Sequence, residues 1–227
     1  MHSFCKFKGV LFDLGGTLIK TLDAPEIYRR ILEAYGVNVS LEKINRAHKE
    51  NEKEFHMEDL VKMGNKFWIR WNEKILERLG MHKNKKFLAR KIDELWWNYA
   101  QLETYSDVAT AISQLKEKKV KIGIVTNGFR KDYLKIIQKL GWAKEIFDVI
   151  VGIDACKKAK PHKRIFLYAV HKLSLRPEET IFVGDSLKYD YEGAKKAGLH
   201  ALLLNRKGEK FSEVKTIKSL TEVLSYF

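Results

Sequence analysis

Four short stretches of this chain place reactive side chains directly behind apolar runs. The first is Asp13-Leu14-Gly15-Gly16-Thr17, after FKGVLF, and the second is Thr126-Asn127-Gly128, after VKIGIV. Lys160-Pro161 follows, and then Gly184-Asp185 after TIFVG, with Asp190 a little further on. Together they offer carboxylates, a hydroxyl and a lysine, with glycines that let the main chain approach a ligand closely. A carboxylate nucleophile can divide a phosphoryl transfer into formation and hydrolysis of an aspartyl phosphate. Carboxylates beside an incoming phosphate repel it, so such a site calls for a hard divalent cation with oxygen ligands. A lysine and a hydroxyl can hold phosphoryl oxygens while charge develops on them. Taken singly, each piece has an ordinary alternative: an Asp after a strand often caps a helix, and Lys-Pro often marks a surface turn. Their order and shared placement make coincidence a poor explanation.

The elements that must position these residues are readable in outline. Residues 7–12 form an apolar run entering a tight turn at the double glycine, the pattern of a buried strand. From about Ala24 to Glu103 the periodicity is helical. Ile27, Ile31 and Leu32, then Leu41 and Ile44, then Phe67, Trp71, Ile75 and Leu79, then Phe87 and Leu95 mark the apolar faces, with breaks at Gly36, Gly64 and Gly80. This predicts four amphipathic helices, with Trp68, Trp71, Trp96 and Trp97 as their own core. Beyond Tyr105 helices and strands alternate. Ser106 is the expected N-cap of a helix to Lys118. Strands are expected at 120–125, 147–151, 180–184 and 200–205, and helices at 130–140, 163–173, 189–197 and 219–226. The reading is an α/β fold: a Rossmann-like parallel sheet covered on both faces, its first strand separated from its partners by an all-helical insertion. The expected boundaries are 1–19 with 105–227 for the sheet domain and 20–104 for the insertion. Ligands of such sheets bind beyond the carboxyl ends of the strands, where the reactive residues lie.

The order and spacing of the four stretches resemble the motifs of the haloacid dehalogenase superfamily and frame nearly the whole chain. GDSLKYDYEGAKKAGLHALLLNR is similar to that family's fourth motif, and the helical insertion resembles the cap of its subclass I members. The resemblance implies a magnesium-dependent phosphatase acting on a small phosphorylated metabolite. It implies Asp13 as nucleophile and Thr126 and Lys160 as holders of the phosphoryl oxygens, with Leu14, Asn127 and Gly128 completing the phosphate site. It further implies Asp13, Asp185, the main-chain carbonyl of Gly15 and, in an auxiliary place, Asp190 as ligands of Mg2+.

One position departs from the pattern. The family's phosphatases carry a second Asp two residues after the nucleophile, which protonates the leaving alkoxide and then activates water; here the residue is Gly15. General acid–base catalysis contributes typically ~10²–10⁴-fold in rate, so the omission is large. Three accounts follow. The chain is a phosphatase that relies on good leaving groups, on water, or on a stand-in acid such as His48, His56, Lys62, Lys66 or His162. Alternatively it cleaves carbon–halogen or carbon–phosphorus bonds, as relatives without the second Asp do, although the dehalogenases lack the acidic fourth motif retained here. Or it binds phosphate ligands or regulates without turnover. DLGGT also resembles the phosphate loop of sugar kinases, but helices follow it here and no convincing second glycine-rich loop appears.

The bulk properties bound the partners and the compartment. Residues 21–104 carry 16 Lys/Arg against 14 Asp/Glu, leaving 27 of the 43 basic and 15 of the 29 acidic residues to the rest of the chain. The net charge of +14 therefore belongs almost wholly to the part bearing the reactive stretches, where it reads first as a solvated Lys-rich surface and second as a positive field that would concentrate anionic substrates. The lysines are spread without a nucleic-acid-binding motif, which argues against a nucleic-acid partner. No apolar run approaches the ~20 residues that span a bilayer, and no signal-peptide pattern opens the chain, so the expectation is cytoplasmic. Cys5 and Cys156 match no metal spacing and read as reduced, buried thiols. Abundant Lys and Glu with three Gln point towards a thermophilic source.

Overall fold

The structure is a computed structural model that describes residues 7–227. Cys5 lies outside them. In chain order the strands are β1 Gly9–Phe12, β2 Ile19–Lys20, β3 Glu103–Thr104, β4 Lys121–Val125, β5 Val149–Val151, β6 Thr180–Gly184, β7 His200–Leu204 and β8 Thr216–Ile217. The helices are α1 Ala24–Ala34, α2 Leu41–Glu54, α3 Met57–Met63, α4 Lys66–Arg78, α5 Lys85–Tyr99, α6 Val108–Glu117, α7 Arg130–Leu140, α8 Ile153–Cys156, α9 Lys163–Lys172 and α10 Glu192–Lys196. Two compact units result: one from the chain up to Lys20 together with Glu103–Phe227, the other from Thr21–Leu102.

The first unit is built on a six-stranded sheet in the order β5-β4-β1-β6-β7-β8, parallel at every pairing. Its central strand, β1, is buried along its length, as are all five residues of β6. Burial on both faces is why these strands read as unbroken apolar runs. The flanking helices turn one stripe inwards: α6 buries Val108, Ala111, Ile112 and Leu115, a helical repeat. Gly123 of β4 is required by its neighbours, because a Cβ there would stand 2.5 Å from Val149 Cγ1 and 2.7 Å from Leu11 Cδ2.

Several expectations need correction. The N-cap of α6 is Asp107 rather than Ser106, and its carboxylate does not cap. It accepts instead from both terminal nitrogens of Arg206 (2.9 Å each), the Ser219 hydroxyl (3.0 Å) and the Leu220 amide (2.8 Å). The helix expected at 189–197 is a π-helical turn, Leu187–Tyr191, followed by α10. The closing segment is a 3-10 helix, Leu220–Tyr226, and β8 and the antiparallel pair β2–β3 are strands too short for periodicity to reveal.

The second unit contains five helices, α1–α5, rather than four. Extended backbone at Phe55 and His56 separates α2 from α3, a break no glycine announces. Its core is Ile27, Tyr28, Ile31 and Leu32 of α1 with Ile44, Phe67, Trp71, Ile75, Leu76, Leu88 and Ile92. Buried polar groups there are paired: the Tyr28 hydroxyl donates to Asn72 Oδ1, and Asn72 Nδ2 donates to the Ala89 carbonyl at 3.1 Å. Of these four tryptophans only Trp71 is buried; Trp68, Trp96 and Trp97 are half-buried. Phe87 and Leu41 sit on outer faces, Phe87 against the Tyr35 ring at 5.9 Å. Among the described residues no helix is long and apolar enough to cross a membrane.

Replacing Gly123 by Ala should destabilise the sheet by about 1–3 kcal/mol through overpacking, read as a lowered urea midpoint at unchanged slope. A midpoint equal to that of the wild type would overturn the packing argument.

Candidate active site

Register brings the reactive residues together. Phe12 pairs with Val183 on one side and with Ile124 on the other, so Asp13 emerges beside Gly184-Asp185 and beside the end of β4 leading to Thr126. The Asp13 amide donates to the Val183 carbonyl at 2.9 Å, continuing the ladder one step beyond the strand. The following loop winds back on itself, with the Leu14 carbonyl accepting from the amides of Leu18 and Ile19. Gly16 has φ +80°, and a Cβ there would lie 2.4 Å from Asp185 Oδ2; only glycine allows this approach. Gly184 plays the same part for Asp190, whose Cγ would be 2.4 Å from an added Cβ. The π-helical turn swings Asp190 inwards, the kind of local widening that recurs at functional sites.

The charges meet in a nearly dry place. Asp13, Lys160 and Asp190 are 7%, 3% and 1% exposed, so each must be paired. The Lys160 ammonium donates to Asp13 Oδ1 and, at 2.6 Å, to Asp190 Oδ1. Asp190 Oδ2 accepts from the Ser186 amide at 3.0 Å. Asp185 is more open, and its Oδ1 lies 3.5 Å from the Thr17 hydroxyl. Carboxylate oxygens of Asp13, Asp185 and Asp190 all fall within 4.8 Å of one another.

Three carboxylates thus face one ammonium. Burial pushes the Asp13 carboxyl up to about 7, Lys160 pulls against it, and Asp190 and Asp185 push it further. Burial and then Asp190 also raise Asp185. For Lys160 burial works to lower the ammonium, but Asp13 and Asp190 outweigh it and hold the group above its ordinary value. An all-oxygen cluster with surplus negative charge fits a hard divalent cation such as Mg2+, and lacks the nitrogen or sulfur ligands of a softer one.

At the end of β4, Thr126 Oγ1 accepts from the Gly128 amide at 3.1 Å, which leaves the hydroxyl proton free to point elsewhere. The Asn127 side chain clasps the main chain of Lys160: its Oδ1 accepts from the Lys160 amide at 2.7 Å and its Nδ2 donates to the Lys160 carbonyl at 3.2 Å. Asn127 therefore fixes the root of the lysine. Gly15 is exposed, and an added Cβ would meet nothing within 4 Å. Sequence reasoning missed Arg206, whose guanidinium donates to the Thr17 carbonyl at 3.1 Å, binds Asp107 and lies 4.0 Å over the Tyr105 ring. Its place just past β7 was the available signal. Cys156 is half-buried, and burial raises its thiol.

The model of the haloacid dehalogenase-like hydrolases matches residues 7–198. The chain belongs to that family. It is a haloacid dehalogenase-like hydrolase with similarity to relatives of known name. It is 30% identical over 206 residues to the glyceraldehyde 3-phosphate phosphatase of Methanopyrus kandleri, covering 88% of this chain and 84% of that one. It is 30% identical over 205 residues to the pyrophosphatase PpaX of Bacillus mycoides, covering 85% and 81%. Among solved structures, the putative hydrolase YfnB of Bacillus subtilis, bound to magnesium, superposes with a TM-score of 0.76 at 21% identity over 97% of this chain and 98% of that one, a likeness of fold.

The raised Asp13 of this hydrolase makes a prediction for the metal-free protein. Its carboxyl titrates near 7 when folded against an ordinary 3.8, so the proton it holds favours folding. That contribution is complete below the ordinary value and is lost as pH rises through about 7. With EDTA present, thermal stability should fall between about pH 4 and about pH 8, and Asp13→Asn should flatten the fall. Equal slopes in the two proteins would contradict it.

Proposed function

We propose that this hydrolase is a magnesium-dependent phosphatase of small phosphorylated metabolites, working through an aspartyl phosphate at Asp13. The observation that carries the reading is the Lys160 ammonium held between Asp13 and Asp190 where β1 and β6 end. The similarity to a glyceraldehyde 3-phosphate phosphatase and to a pyrophosphatase supports the same chemistry. Residues Thr21–Leu102 are proposed as the cap that selects the substrate.

Asp13, Asp185 and the Gly15 carbonyl would hold Mg2+, with Asp190 in support. Bound there, the ion supplies the positive charge that lets an anionic phosphoryl group come close to carboxylates. Asp13 attacks phosphorus with the oxygen not held by Lys160. Lys160 and the Thr126 hydroxyl hold the phosphoryl oxygens, and main-chain amides near Leu14, Asn127 and Gly128 complete the cradle. Asp190 keeps Lys160 charged and aimed. The surplus of carboxylates over ammonium speaks against metal-free dehalogenation.

The test is release of inorganic phosphate from p-nitrophenyl phosphate. Release should require Mg2+, vanish in Asp13→Asn, and fall about 10²–10³-fold in Lys160→Ala with the fold intact by circular dichroism. Release that is indifferent to EDTA, or that survives in Asp13→Asn, would sink the proposal.

A further inference from the structure

When a phosphate ester is cleaved the leaving oxygen becomes an alkoxide and needs a proton. When an anhydride is cleaved it becomes a phosphate or carboxylate, already a stable anion. Which of these the site can serve depends on whether a proton donor stands ready. The titratable groups at the strand ends are committed. Lys160 is bound to Asp13 and Asp190, Asp190 also accepts from the Ser186 amide, and Asp185 faces Thr17. Gly15 brings no side chain to the loop after Asp13 and leaves open space where one would begin.

The stand-in donors fare poorly. His48 is half-buried and engaged within the helical unit, its ring 5.4 Å from Trp71 and 6.4 Å from Tyr28 and its Nδ1 3.4 Å from the Glu52 carboxylate. His162 caps α9, its Nδ1 accepting from the Arg164 amide at 3.1 Å. His56 stands exposed at the N-terminus of α3. Lys62 and Lys66 are exposed side chains, with no burial to fix them in one place.

We propose, resting on the phosphatase reading above, that the natural substrates are phosphoanhydrides or acyl phosphates, whose leaving group departs without a proton. In the first step an Asp13 oxygen bonds to phosphorus, the bond to the leaving oxygen breaks, and its electron pair departs with the phosphate or carboxylate anion. In the second, a water oxygen attacks the same phosphorus and the bond to Asp13 breaks. The carboxylate returns, and both protons of the water leave on dihydrogen phosphate. Among the described residues the carboxylates at the strand ends are all engaged, so no base is spare to activate that water and the aspartyl phosphate accumulates during turnover.

The experiment compares wild type, Gly15→Asp and Gly15→Asn, all with Mg2+, on acetyl phosphate, inorganic pyrophosphate, p-nitrophenyl phosphate and glycerol phosphate. Wild-type kcat/KM, which reads the step that expels the leaving group, should be about 10²–10⁴-fold lower on the alkyl ester than on the anhydrides and the activated ester. Gly15→Asp should recover most of that factor in kcat/KM on glycerol phosphate alone, while a faster second step raises kcat on every substrate, and Gly15→Asn, which fills the same space without an acid, should do neither. Intact mass after rapid acid quench should show one added phosphoryl group on wild type and less on Gly15→Asp. Equal wild-type kcat/KM on alkyl and anhydride substrates would overturn the inference, as would a gain in kcat/KM from Gly15→Asp that is uniform across the series. The phosphatase reading fails separately: then no phosphate is released from any of the four, or Asp13→Asn releases it as fast as wild type.

Discussion

The surplus of negative charge at the carboxyl edge of the sheet is the constraint from which the rest of the site follows. Three aspartates converge within 4.8 Å of one another, two of them almost wholly out of water, and a single buried ammonium answers them. Charges of like sign so close in a poorly hydrated place are costly unless each is paired or protonated. Every nearby feature works to meet that cost. A parallel sheet delivers all its carboxyl ends to one side, glycines at positions 16 and 184 permit approaches that any side chain would block, and the π-helical turn rotates Asp190 into line. What remains unbalanced is charge that a cation from solution can complete.

The lysine at the centre of this arrangement is held at both ends. Its ammonium is fixed by two carboxylates, and its main chain by the two arms of the Asn127 amide. Asn127 follows the β4 strand directly behind Thr126, so the loop that carries the hydroxyl also sets the origin of the lysine. A comparable brace lies under the first loop, where Arg206 joins the Thr17 carbonyl to Asp107, and Asp107 in turn gathers Ser219 and Leu220.

Much of this was legible in the residues. Strands buried on both faces announce themselves as apolar runs, so β1, β4, β6 and β7 could be placed within a residue or two, and with them the ends from which Asp13, Thr126 and Asp185 emerge. Asp190 and Lys160 were expected in the site, but their direct pairing was not, since nothing local links residues thirty positions apart. The same reason hid Arg206 and Asp107, whose partnership spans 99 positions. Local signals misled where tertiary partners outbid them: Asp107 turns from its helix to a guanidinium, and Phe87 keeps helical spacing yet faces outwards. The break before α3 was invisible because it depends on backbone at Phe55 and His56 rather than on glycine or proline.

Gly15 and Gly16 are adjacent and identical in type, yet their freedom to change is opposite. Gly16 is locked by its left-handed backbone and by Asp185 pressed against it, whereas Gly15 looks onto empty space. Glycine and aspartate codons can differ by one base. A lineage could therefore gain or lose a Cβ at Gly15 in one mutational step without that atom pressing on a neighbour, while the adjoining position stays closed.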